Sequence, residues 1–402
     1  MILQHIHKTK KDEKIVLTAT IVSDRFKTAK TIFFRYPEDY CNYIPENADP
    51  FFPGLLIPCM FAGENLEILP PLSEKLMKNQ SLVQDIFLSW HPEISRRIDV
   101  KAKTLHQNKS AIANGNATFF SLGVDSMYSL LKHLSENSRT PNSQLKSIIY
   151  MKGMELPLSV YTKNQDGPVI EAVKKVAQHY NVDAIIGETN LRDIFPLDWE
   201  DQYFGPGLAS TALSLSLGFK NIFIPSSHSY NHFFHDPSSP LLDHLWSTEQ
   251  TRIFHDGAEK ERAQKIADLI THDSFALNNL RVCTNNEGGI LNCGMCPKCI
   301  RTMITLEILG LLESSDIFPK KLPRNYTRQL ATFIPDSLEF TRENLKLALE
   351  NDRKDIARIL QREIRIGKLD CLRNGDSLGY VFREVMYYYW MKAARKLGLI
   401  HR

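Results

Sequence analysis

Residues 117–134 read ATFFSLGVDSMYSLLKHL, and the local pattern changes twice within them. Thr118, Phe119 and Phe120 give a short apolar strand signal, residues 121–126 a small polar loop, and Met127, Leu130, Leu131 and Leu134 a helical spacing. Strand, tight loop and helix start in so short a stretch constrain the fold more than any other feature. A helix start leaves N–H groups without intrahelical partners and carries the positive end of the dipole, so glycine and serine hydroxyls placed there can hold a phosphate-like anion. Gly123 lets the backbone approach the anion, and Ser121 and Ser126 add donors.

From 117 to 312, short β-type runs alternate with helical ones, the pattern of a parallel sheet covered on both faces. Strands are expected at 118–120, 147–151, 184–187 and 221–225. Helices are expected after the loop, from Gly167-Pro168, and between Gly207 and Gly218. Ligands of such sheets bind beyond the carboxyl ends of the strands, which singles out the loops at 121–126, 152–156, 188–192 and from 226 onward. Residues 1–110 read as a small α+β domain with strands at 14–22, 31–36 and 55–61 and a helix at 73–90. Residues 313–402 read as helical, with Asp336 and Glu339 forming a capping box. A last helix at 381–397 carries Tyr387, Tyr388, Tyr389 and Trp390 among basic residues, and inward packing explains it more simply than base stacking.

Four of the seven cysteines, Cys283, Cys293, Cys296 and Cys299, have the spacing C-x9-C-x2-C-x2-C. Four thiolates suit tetrahedral Zn2+, leave no open position, and so predict a structural metal that pins loop 284–292 and the helix near Cys299 to the sheet. Gly288, Gly289 and Gly294 ease the turns. Cys41, Cys59 and Cys371 are isolated, which fits a reducing compartment and not a disulfide framework.

The stretch 226–247 mixes histidines and acids with Tyr230, Phe233, Phe234 and Trp246. It reads as a second metal site, as a solvated loop, or, preferred because it leaves a strand's carboxyl end, as a substrate-binding loop through Ser227, His228, Asp236 and Asp243. His255-Asp256-Gly257 begins another such loop.

The serine loop has no Walker lysine and resembles instead the SGGxDS signature of the PP-loop ATP pyrophosphatases, a superfamily like the adenine nucleotide alpha hydrolases, with Leu122 where the pattern has a second glycine. The resemblance implies cleavage of ATP to AMP and pyrophosphate. ATP and Mg2+ would be held by Ser121, Leu122, Gly123, Val124, Asp125 and Ser126, with Asp125 and Ser126 catalytic. The later C-x9-C-G-x-C-x2-C spacing followed by Arg301 is similar to the 7-cyano-7-deazaguanine synthase group, which turns a carboxylate into an amide and then a nitrile with ATP and ammonia. That similarity covers about half the chain, residues 117–312.

The expected fold is therefore α/β: a small α+β N-terminal domain at 1–110, a parallel-sheet, Rossmann-like PP-loop domain with a structural four-cysteine zinc site at 111–312, and a helical C-terminal domain at 313–402. The expected function is an AMP-forming ligase acting on a small-molecule substrate with ammonia or another nitrogen donor. One alternative is a PP-loop sulfurtransferase acting on tRNA or a small molecule, which needs a reactive cysteine outside the zinc set. Another is a non-catalytic, zinc-containing nucleotide-binding module.

With 43% hydrophobic and 24% charged residues and a net charge of +3, the composition is that of a soluble globular protein without the basic excess of a dedicated nucleic-acid binder, so tRNA is the less favoured partner. There is no apolar run of about 18 residues, hence no membrane partner is expected. The N-terminus has no secretory signal, so a cytoplasmic protein is expected, with a homodimer allowed.

Overall fold

Ile15, Leu17, Ala19 and Ile21 are buried and alternate with more exposed neighbours, so the segment that carries them is a strand with one face on a core. It is β2 (Lys14–Val22), and it pairs antiparallel with β1 (Ile2–Lys11) and with β3 (Lys30–Pro37). The computed structural model describes residues 1–108, 115–137, 144–161, 167–195, 197–232, 235–283, 291–324, 326–330 and 335–374. The aromatic and basic stretch at 381–397, Gly288, Gly289, Phe233 and Phe234 lie outside the described residues.

The strand expected at 55–61 is a helix instead, α1 (Phe52–Ala62). A continuous apolar run does not distinguish a buried strand from a buried helix; here Pro53 in the first turn and Gly63, at φ 65, just past the end frame a helix. Nine of its residues, Phe52 through Met60, are buried, which is why no polar face marked it in the sequence. Next come β4 (Leu66–Ile68), β5 (Leu72–Ser73) and α2 (Glu74–Trp90), whose N-cap Ser73 accepts from the Leu76 N–H. The short strands β6 (Val100–Ala102) and β7 (Leu105–His106) close this part.

The parallel half follows the expected alternation. Its elements are β8 (Asn116–Phe119), α3 (Val124–Asn137), β9 (Leu145–Lys152), α4 (Gly167–Tyr180), β10 (Asp183–Thr189), the short α5 (Leu191–Ile194), α6 (Phe204–Ser214), β11 (Asn221–Pro225) and β12 (Arg252–Asp256). Across the sheet they stand in the order β10-β9-β8-β11-β12, every neighbouring pair parallel. By sequence that is third, second, first, fourth, fifth, the doubly wound order, and it reverses between β8 and β11. A crevice opens beyond the strand ends at such a reversal, and the serine loop follows β8.

β10 also pairs with β3, antiparallel, through Glu188 with Arg35 and Thr189 with Phe34. One ten-stranded, mostly parallel sheet therefore runs from β12 to β6, and the boundary read at 110 falls inside it. The described residues of Met1–Glu261, with Leu269–Arg281, form one compact unit that includes α8 (Ser274–Leu277). A second unit holds α7 (Arg262–Asp268) and the described residues from Val282 on, including α9 (Pro297–Ile308), α10 (Pro335–Glu350) and α11 (Lys354–Asn374). The boundary read at 312 thus cuts this unit, because α9 packs with the later helices. Arg301 of α9 lies 3.8 Å over the Phe340 ring, and Thr305 donates to Asn344 at 2.8 Å. Asp336 lies within α10, which begins at Pro335, and not at its cap.

Among the described residues no helix is long and apolar enough to cross a membrane.

Candidate functional site

Phe120 leaves β8 with its N–H still bonded to the Ile149 carbonyl, and the chain then turns sharply into α3. The turn is made at Leu122, whose φ of 67 puts it in the left-handed region that glycine occupies without strain. The residue that departs from the glycine-rich signature therefore has the backbone a glycine would take. Its side chain is fully buried, and its carbonyl accepts from the Arg281 N–H at 2.8 Å. The Ser126 hydroxyl donates to the Gly123 carbonyl at 3.0 Å and accepts from the Ser121 N–H at 3.2 Å, so the loop is closed by its own side chain. Ser121 is exposed, whereas Val124, Asp125 and Ser126 are buried at the start of α3. The Arg281 guanidinium makes a two-pronged bond to Glu155 at 2.8 and 3.0 Å, which joins the segment after β9 to the residue that anchors Leu122.

α3 is held in place by a charged cluster at the end of β12. Ser129, Lys132 and His133 all bond to the buried Asp256, Lys132 at 2.8 Å and His133 at 3.1 Å, while Tyr128 and Lys132 reach Glu259 at 3.0 and 2.9 Å. Burial by itself raises the Asp256 carboxyl, but hydrogen bonding from His133 and the Lys132 charge outweigh it and hold the group well below the usual carboxylate range. The helix that begins at the serine loop is thus fixed to the strand that ends at the next site.

That next site is a small cleft, open to solvent and with about 20 Å³ of room for water, beyond the ends of β11 and β12. Ser226, Ser229, Ser238, Ser239, His228 and His255 supply its polar lining, and Tyr230 stands half exposed at it. Ser226 turns the chain out of β11, its hydroxyl accepting from the His228 N–H at 3.2 Å and donating to the His228 carbonyl at 2.5 Å. His228 and Asp236, both expected here, lie 3.9 Å apart across the cleft wall. Asp243 does not line the cleft: it is wholly buried behind it and accepts from His255 Nδ1 at 2.8 Å and from Ser238 Oγ at 2.9 Å. Its other oxygen, Oδ1, has no hydrogen-bond partner, and neither has the Ser239 hydroxyl. Of the four residues singled out in this loop, Ser227 alone is neither in the lining nor bonded to it; its neighbour Ser226 takes that place. His255 reaches the cleft because β12 returns beside β11 with Ile224 opposite His255, a pairing that no local pattern announces.

The cysteines assemble in the second unit. Cys296 caps α9, Gly294 turns the chain before it at φ 68, and the N–H groups of Met295 and Cys296 point at the Cys293 sulfur at 3.4 and 3.3 Å. The four ligand atoms lie within 4.8 Å of one another. Sulfurs about 2.3 Å from one Zn2+ at tetrahedral angles stand roughly 3.8 Å apart. The Cys283 to Cys296 and Cys293 to Cys299 separations are 3.7 and 3.9 Å, so the donor set fits such an ion. The hydrogen bond between Cys296 and Cys299 lowers the Cys296 thiol and raises that of Cys299, as expected of closely spaced sulfurs. Among the described residues, the histidines and acids of 226–247 form no comparable metal-ligand group.

The chain matches no family model, no curated protein and no solved structure compared with it.

Proposed function

We propose that the chain is an ATP-dependent, AMP-forming ligase of the PP-loop kind, related in chemistry to the 7-cyano-7-deazaguanine synthases. It adenylates a carboxylate or amide oxygen of a small molecule and lets a nitrogen nucleophile displace AMP. One observation carries this reading: the serine loop leaves β8, the strand at which the doubly wound order reverses, and it enters a helix fixed from below by Asp256. The left-handed Leu122 supports it too, since a backbone form that glycine takes without strain stands at the position where the signature has a glycine.

In this reading the amides from Leu122 to Ser126 and the positive end of α3 take the β- and γ-phosphates as one leaving group. Asp125, an acid in the first turn of α3, would hold Mg2+, and bound Mg2+ would offset the charge of the phosphates. The substrate oxygen then attacks the α-phosphorus. Zn2+ on the four cysteines is structural, since their sulfurs complete its shell.

A sulfur-transfer reading needs a thiolate outside that set. Burial pushes the Cys59 thiol up to about 12, leaving it protonated and inert at neutral pH. Exchange of labelled pyrophosphate into ATP tests the proposal: it should depend on a member of a pool of small carboxylic acids and on Mg2+. Absence of exchange with every acid would contradict it.

A further inference from the structure

Asp243 and His255 form a pair that the ATP chemistry above does not use. A wholly buried carboxylate is costly unless it is paired, and Asp243 is paired with an imidazole whose ring lines an open cleft. With Nδ1 of His255 donating to the Asp243 carboxylate, Nε2 is left as the acceptor of the ring, and the carboxylate fixes the ring's orientation. His228 has a weaker version of the same arrangement: its carboxylate, Asp236, is 3.9 Å away and partly exposed. His232 has the Ser229 hydroxyl beside it, at 3.4 Å. His255, held at Nδ1 by a wholly buried carboxylate, is set up as a base.

We propose that the cleft beyond β11 and β12 is the acceptor site and that His255, oriented by Asp243, removes the proton from the nitrogen nucleophile; the assignment rests on the functional reading above. The nitrogen lone pair forms the C–N bond to the adenylated carbon. The C–O bond to AMP breaks with its electron pair, and the surplus proton on nitrogen passes to Nε2 of His255. Serines and histidines in the lining suit a small ligand that both donates and accepts hydrogen bonds, and the half-exposed Tyr230 adds an aromatic ring to the same lining. Asp243 is a positioning residue in this scheme, because it touches His255 and not the ligand.

The test separates the two half-reactions. With ATP, Mg2+ and the acid pool, hydroxylamine captures the adenylate as a hydroxamate with little need of a base, whereas ammonium must lose a proton to give the amide. His255→Gln should lower the ratio of amide to hydroxamate by about 10²-fold or more, the usual weight of a general base. Asp243→Asn should lower the same ratio less, and added imidazole should restore part of the amide rate in His255→Gly. An amide-to-hydroxamate ratio in folded His255→Gln within a few-fold of the unaltered protein overturns the role of His255 and leaves the AMP-forming reading standing. The same holds if imidazole restores nothing. An unaltered protein that forms neither product overturns the functional reading, and this assignment with it.

Discussion

The loop after β8 and the cleft after β11 and β12 lie at the same edge of one parallel sheet, yet they use their polar groups in opposite ways. In the loop, the Ser126 hydroxyl is consumed inside the turn, bridging Gly123 and Ser121, so what remains for a ligand is backbone and helix end. In the cleft the backbone is ordinary, and the side chains do the converging, with a buried carboxylate behind one imidazole. The first arrangement suits an anion that needs many weak donors. The second suits the movement of a proton. A ligase that splits its reaction into phosphate departure and nitrogen attack needs one of each.

The largest expected effect lies outside that pair, at the cysteines, and it asks whether a short local stretch can hold a site on its own. Structural Zn2+ binding contributes roughly 10 kcal/mol in small domains. Metal analysis should find one equivalent of zinc per chain, and Cys299→Ser or a strong chelator should remove it together with the helical signal of the second unit. Purified, folded protein free of zinc would refute the site.

Next comes the loop itself. Asp125→Ala should lower AMP formation by about 10²-fold or more, the usual loss when a charge-stabilising group is removed, in protein that keeps its helical signal. A variant with full activity would break the contrast, since the loop would then act through nothing but its shape.

Leu122 and Gly123 sharpen it further. A left-handed backbone costs a non-glycine residue about 1 to 2 kcal/mol, and a buried leucine lost to a small residue costs about 2 to 5. Leu122→Gly should therefore destabilise by roughly 1 to 3 kcal/mol in denaturant unfolding while pyrophosphate binding holds or tightens. Gly123 is not left-handed, and a Cβ there meets Ser121 Oγ at 3.3 Å. Gly123→Ala should change stability by less than about 1 kcal/mol, so any loss of pyrophosphate affinity reports the close approach of the anion. Unchanged affinity would place the anion elsewhere.

The smallest effect is on pH. Because the folded Asp256 carboxyl is held below its unfolded value of about 3.9, its contribution to stability is present above that pH and is lost as pH falls through the lower folded value. Thermal midpoints of the unaltered protein should drop on the acid side of about pH 4, and Asp256→Asn should flatten that part of the slope.

Sequence legibility followed the same division. β9, β10 and β11 lie where their apolar runs predicted, and the C-x9-C-x2-C-x2-C spacing brought four sulfurs together, because in each case residues close in sequence supply the structure. What depended on distant pairing was not visible. β12 lies beside β11, and β3 beside β10, through contacts between segments far apart in the chain, so the sequence shows His255 only as the start of another such loop and the sheet only as two domains. The helix α1 failed for another reason: buried on every side, it had no polar face to set a period.

The central claim is that the serine loop directs attack to the α-phosphorus, and product analysis tests it most directly. No lysine lies between Thr118 and Leu131 to reach the β- and γ-phosphates as a Walker loop does. ATP labelled at the α-phosphate, incubated with Mg2+, ammonium and the acid pool, should yield labelled AMP with one equivalent of pyrophosphate, and only when the right acid is present. Labelled ADP as the stoichiometric product would contradict the account.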